Sequence, residues 1–326
     1  MAIDRDLLFL SGENARGKIK DLALAVKKSP QLVKYSLRTM EEEGQIYLPH
    51  CIFDYSYFGL ILFRVYFKGG YISEHDKTEI INKLKENKYI VTMYELYGEF
   101  DLALEIVSPN PSRFTKELRK VAGLIPTLNN YKILLNVVTH LYPRSYLLKN
   151  QELFPHSKEI IVGGDRAIET FTEQEMAVMK CLLARPKIRL TTLAKEANLH
   201  VKTVQGALQN LYKRKIIKGY KQLINTDKLE IHKSRLFLRL HNFSQERETD
   251  LLNYLSDIKE VVQVNKTVGD WNMEIDIESF NNTKVRYIVL QIRERFKDII
   301  ETFNTTEFFQ YYTKSYLPRY LFEQEE

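Results

Sequence analysis

Two cysteines and one tryptophan in 326 residues leave little room for thiol or metal chemistry. Cys51 and Cys181 have no second Cys or His at metal-ligand spacing, so both read as free thiols. No apolar run approaches the roughly 20 residues of a membrane span. Stretches such as FGLILF are far shorter. The first residues, MAIDRDLLFL, set acids ahead of a short apolar run and do not read as a secretory signal, so a cytoplasmic protein is expected. There is no Gly-x-x-x-x-Gly-Lys phosphate loop, no His-Glu-x-x-His zinc helix and no Gly-x-Ser-x-Gly nucleophile turn. No catalytic residue, metal or cofactor is therefore assigned, and the chain reads as a non-enzyme. A hydrophobic fraction of 44% and a charged fraction of 28% describe a folded chain, long enough for more than one domain.

What the sequence does contain is a repeat. GEFDLAL begins at Gly98 and GDWNMEI at Gly269, 171 positions later. The same offset lays residues 19–46 over 190–217 without a gap, matching Leu22-Ala23 to Leu193-Ala194, Val33 to Val204, Leu37 to Leu208 and Ile46 to Ile217. Two halves, roughly 1–147 and 171–318, share one plan. The stretch 148–170, with Pro155 and Gly163-Gly164, reads as the linker.

Each half opens with a helical pattern. In the second, Thr172 and Glu175 have capping-box spacing, and Val204, Leu208 and Leu211 form one apolar stripe on the third helix. In the first, Ser29-Pro30 supply an N-cap and a first helical residue. Three helices with a tight turn before the last are a helix-turn-helix pattern. The rest of each half reads strand–helix–strand–strand–helix–strand, the ferredoxin-like order. Its antiparallel sheet would carry helices on one face. The other face, with Tyr94, Leu104 and Val137, would pack face to face on the second copy. The expected fold is α+β: winged helix-turn-helix domains at 1–52 and 171–228, and ferredoxin-like domains at 53–147 and 229–320, forming an intramolecular pseudo-dimer. Higher homo-oligomers stay open.

This layout resembles the Lrp/AsnC family, the leucine-responsive regulatory proteins, in a tandem-duplicated form. SPQLVKYSLRTMEEEGQI is similar to the family's recognition helix, FDYSYFG to the lead into its RAM-type sheet domain, and GEFDLAL to its Gly-x-aromatic-Asp turn. The resemblance implies a transcription regulator that binds double-stranded DNA and senses an amino-acid-like effector. The effector residues it implies are Gly98, Glu99 and Asp101, with Gly269 and Asn272 in the second turn. Asn272 replaces the carboxylate of Asp101, so the first turn is the expected effector site. The same architecture is also similar to siroheme decarboxylases, the alternative reading. That alternative needs a basic, His-containing pocket between the sheets.

Charge separates the copies. Residues 1–50 hold eight cations and seven acids, whereas 171–226 hold eleven cations and three acids, a net +8. Phosphate affinity comes mainly from such cations. The outward face of the second recognition helix carries Lys202, Gly206, Gln209 and Lys213, flanked by Thr203, Gln205, Asn210 and Arg214. Amides there suit base edges and lysines suit phosphates. The first copy offers Gln31, Lys34, Tyr35 and Arg38, beside a repelling Glu42. His140 and Arg144 read as a strand-end histidine and a surface arginine, and Trp271 as a packing residue.

Overall fold

A computed structural model describes residues 4–69, 73–125, 130–153, 159–242 and 244–323. Pro155 lies outside them. Each half begins with three helices: α1 (Arg5–Glu13), α2 (Ile19–Ala25) and α3 (Pro30–Glu42), then α6 (Glu173–Ala184), α7 (Leu190–Glu196) and α8 (Val201–Lys213). The Thr172 hydroxyl and Glu175 carboxylate complete both bonds of a capping box at α6. Ser29 caps α3 by accepting from the Leu32 amide, whereas His200 makes no such bond at α8. Leu7, Val33 and Met40 fill the first helical core, and Val178, Leu193, Val204 and Leu211 the second. Ala207, not Leu208, is the fully covered residue in the middle of the α8 stripe. The strand after each helical module, β1 (Ile46–Phe53) or β7 (Ile217–Ile224), pairs antiparallel with its counterpart in the other half.

The ferredoxin-like units are β2 (Ile61–Lys68), α4 (Glu74–Glu86), β3 (Ile90–Tyr97), β4 (Leu102–Ser108), α5 (Pro111–Leu124) and β5 (Asn130–Leu141), and then β8 (His232–Leu240), α9 (Gln245–Ser256), β9 (Val261–Val268), β10 (Met273–Ser279), α10 (Asn282–Arg295) and β11 (Ile300–Lys314). A short β6 (Ile160–Gly163), inside the stretch read as linker, pairs with β5.

The two sheets do not simply stack. Residues 130–136 of β5 pair with β2 of their own half, and 135–141 cross to β9 of the other. Residues 300–307 of β11 pair with β8, and 307–314 cross to β3. The exchange closes eight antiparallel strands into a ring, β2-β4-β3-β11-β8-β10-β9-β5 and back to β2. Eight strands leave an interior that side chains can fill.

Alternation along the strands then sorts residues two ways. Val65, Phe67, Leu102 and Leu104 pack under α4 and α5, while Leu236, Leu238, Ile275 and Ile277 pack under α9 and α10. The positions between them point into the barrel. This corrects the expected apolar inner face. Leu104 lies on the helix side and Val137 is exposed; Tyr94 alone of the three is inside.

The two glycine turns differ in how tightly they are held. Both glycines have positive φ, +126° at Gly98 and +145° at Gly269, a region other residues adopt only under strain. A methyl on Gly269 would also sit 2.8 Å from the Ile133 carbonyl oxygen and 2.8 Å from a Leu134 methyl, whereas on Gly98 its nearest neighbour is Thr306 Oγ1 at 3.5 Å. Gly269→Ala is therefore expected to lose about 1–3 kcal/mol more stability than Gly98→Ala. Equal midpoints in urea would contradict this.

Candidate functional site

On α8, the side chains of Lys202, Gln205, Gln209, Asn210 and Lys213 are exposed, Gly206 faces solvent, and Thr203 is half-buried. Lys202 and Lys213 make no ion pair among the described residues. Arg214 does not belong with them. Its guanidinium donates to Glu175 at 3.0 and 3.2 Å, to Glu169 at 2.8 Å and to the Thr170 carbonyl at 2.6 Å. The surplus of cations is also partly offset from outside the module. Lys218 pairs with Asp54 at 3.2 Å, Lys221 with Glu13 at 2.6 Å, and Lys187 with Glu41. On α3, Gln31, Lys34 and Tyr35 are exposed, but Arg38 is tied to Glu42 at 2.7 Å.

The glycine turns place Asp101 and Asn272 in equivalent roles. Asp101 Oδ2 accepts from the Gly69 amide at 2.8 Å, and Asn272 Oδ1 accepts from the Leu240 amide at 2.8 Å. Either an amide or a carboxylate can fasten a strand end in this way. Glu99 lies 3.6 Å from Lys132 and accepts from Asn304. Trp271 packs on Phe237, ring centroids 5.7 Å apart.

Sequence reasoning missed the charged barrel interior. Arg64 donates from Nε to Glu105 at 2.9 Å and from Nη1 to Asn136 at 2.6 Å, and the same Nη1 lies 3.1 Å from Glu274. Arg235 holds Asp276 with two bonds, 2.6 and 2.8 Å, and donates to the Tyr66 and Tyr94 hydroxyls at 2.6 Å each. The Tyr66 hydroxyl in turn donates a hydrogen bond to Glu274 at 2.5 Å. Burial by itself would raise the Glu105 carboxyl, but Lys314 and Arg64 hold it well below the usual range. The offset of 171 relates Arg64 to Arg235 and Glu105 to Asp276, so the pair is itself duplicated. That spacing was the available signal. The expected surface arginine, Arg144, joins this system. It donates to Glu278 at 2.9 Å, lies 3.7 Å from Glu13 of α1, and so links a helical module to the barrel. Burial opposes the charge on Glu278, yet Arg144 and Lys233 bring its carboxyl down to about 2.

A space of about 20 Å³ lies at one end of the barrel, beside Arg144, Lys233 and Glu278. The Arg64–Glu105 and Arg235–Asp276 ion pairs lie in the barrel interior between the sheets. Two larger openings lie beside the helical modules. A cleft of about 890 Å³ is bounded by α1, the turn after it, the end of α8 and β7, and includes Arg16, Tyr212, Lys218, Tyr220 and Lys221. Glu159, on its rim, lies within hydrogen-bond distance of His140 Nδ1, 2.6 Å, and His140 Nε2 is buried without a partner among the described residues.

These elements define a class: a tandem chain of helix-turn-helix and ferredoxin-like units closed by strand exchange. No known family profile matches the sequence, and no curated protein matches it. Among solved structures, the siroheme decarboxylase NirDL matches with a TM-score of 0.57 at 14% identity, over 96% of this chain and 92% of that one. NirDL in complex with an iron-uroporphyrin III analogue matches over 96% and 93% at 13% identity, again with a TM-score of 0.57. E. coli AsnC covers 44% of this chain at 15% identity, with a TM-score of 0.36. At such identities the likeness establishes the fold. It also overturns the exclusion of enzymatic activity, because a protein sharing this fold across both halves is an enzyme.

Proposed function

We propose that the chain is a decarboxylase-like enzyme acting on a carboxylate-bearing tetrapyrrole. The supporting observation is the likeness to NirDL, which runs through both halves and not one. Decarboxylation breaks the bond between a side-chain carbon and its carboxylate. Carbon dioxide leaves, the electron pair stays on carbon, and a proton takes its place, with no oxidant required. The protein must hold the carboxylates, exclude water and supply that proton. The cleft has Arg16, Lys218 and Lys221 for the first task and the His140–Glu159 pair beside it for the last. Incubating the full chain with siroheme should shift its Soret absorbance and yield products lighter by carbon dioxide in mass spectrometry. Unaltered siroheme with no spectral change sinks the reading.

A second reading rests on the unpaired α8 face: sequence-specific binding of double-stranded DNA. Lys202→Ala with Lys213→Ala should lower the log–log salt slope of binding by about 0.9 per lost phosphate contact. Gln209→Ala should relax one base position at a cost of about 1–3 kcal/mol. Arg38→Ala should matter less, since Glu42 already holds that guanidinium. A loss on Arg38→Ala as large as the double-lysine loss would place binding on α3 instead.

A further inference from the structure

The offset of 171 relates two openings as well as two sequences. The cleft holding Arg16, Tyr212 and Tyr220 lies where the turn after α1 meets β7. A second cleft, of about 590 Å³, lies where the turn after α6 meets β1, and it holds Leu48, Pro49, Arg185, Lys187 and Arg189. Position for position, Arg16 corresponds to Lys187, Tyr220 to Pro49 and Tyr212 to Glu41.

The chemistry has diverged. In the second cleft the position matching Tyr212 is Glu41, which neutralises Lys187, and Arg185 is occupied by Glu196. Proline replaces one aromatic wall. In the first, the Arg16 guanidinium lies over the Tyr220 ring, 4.8 Å from its centroid, and donates to that hydroxyl at 3.4 Å. No carboxylate pairs with Arg16 among the described residues. Tyr212 meets Tyr220 edge to face, centroids 6.4 Å apart. Lys218 and Lys221 stand on the same strand; Lys218 pairs with the buried Asp54, and Lys221 with Glu13, which itself lines the cleft.

We infer that the first cleft binds a planar aromatic anion and that its counterpart does not. The ring lies against the exposed Tyr212, and a carboxylate takes the free donors of Arg16, whose guanidinium is backed by the buried Tyr220 ring. A planar guanidinium stacked on an aromatic ring is preorganised for bidentate carboxylate recognition. The volume of about 890 Å³ falls within the range of small-molecule sites, about 300–1,000 Å³. Choosing a tetrapyrrole as the occupant rests on the proposed function. Because the walls come from both helical modules, the occupant also fixes one module against the other.

The test titrates the full chain with iron-uroporphyrin III, followed by absorbance, and with anilinonaphthalene sulfonate, followed by fluorescence. Arg16→Glu should weaken both by roughly tenfold to a hundredfold, the worth of charge-assisted hydrogen bonds. Lys187→Glu, the matching change in the other cleft, should leave both within about twofold. Unchanged melting curves for both variants exclude a folding defect. Binding of the sulfonate but not the macrocycle keeps the cleft and removes the tetrapyrrole. Binding without release of carbon dioxide keeps the cleft and removes the enzyme reading. Parent-like binding by Arg16→Glu, an equal loss on Lys187→Glu, or a parent that binds neither probe overturns the inference.

Discussion

Replacing Arg235 with leucine is expected to remove about 3–5 kcal/mol of stability, the cost of leaving a buried partner charge alone. Asp276 is fully buried and has no other cation against it among the described residues. The Tyr66 and Tyr94 hydroxyls lose the same donor. A loss of this size is a large share of the 5–15 kcal/mol that holds a typical domain together. Arg64→Leu should cost less. Glu105 keeps Lys314 at 3.5 Å, and Glu274 keeps Arg235 at 3.8 Å. Converting Asp276 to leucine as well should restore much of the Arg235→Leu loss, because removing both charges removes the orphan. Urea midpoints for the four proteins decide the matter. A loss below about 1 kcal/mol for Arg235→Leu, the worth of a surface pair, would mean that water reaches the barrel interior.

Acid should be the other large perturbation. His50, on β1, is buried against Tyr316 just after β11, with its Nδ1 2.9 Å from the Leu48 carbonyl oxygen. Burial first, then the nearby positive charges of Lys314, Arg144 and Lys221, push its imidazole down to about 3, against an ordinary 6.5. Between those values the unfolded chain binds a proton that the folded chain refuses. Stability is therefore complete above about pH 6.5 and falls by about 1.4 kcal/mol per unit below it. Glu278 adds to the loss only below about pH 4.5, where its unfolded carboxyl protonates while the folded one, at about 2, does not. His50→Gln should remove the upper part of this decline, about 2 kcal/mol between pH 6.5 and pH 5, and leave the lower part. Parallel curves for the parent and His50→Gln would show that His50 is protonated in the folded protein.

The local physics was legible. The capping box at Thr172, the Ser29 cap and the order of elements follow from residue types and periodicity, and the duplication was written out at one offset. The exchange of strand ends was not. The residues of β11 fit a strand equally well beside β8 or β3, and local sequence does not name the partner. That gap propagated. Arg64, Glu105, Arg235 and Asp276 alternate with apolar neighbours, and charge at alternate positions ordinarily means a solvated face. Only closure of the ring turns that face inward. Arg214 was misread for a similar reason: its acid partners, Glu169 and Glu175, come from before and within α6, where a wheel drawn for α8 cannot show them. The turn residues Asp101 and Asn272 differ in charge, yet geometry gives both a backbone amide to hold.

Joining the halves in one chain has a consequence for what the interior can become. In a dimer of identical chains, each residue lining the barrel appears twice, and every substitution is made in pairs across the two-fold axis. Here Glu274 is matched by Ala103 in the other half, and Tyr66 is matched by Phe237. Arg64 and Tyr66 both reach that single Glu274. Two copies of such a glutamate would bring an extra negative charge into a space with cations for one. Fusion frees the two sides to drift apart, so the centre of this barrel can be lopsided in a way no symmetric assembly permits.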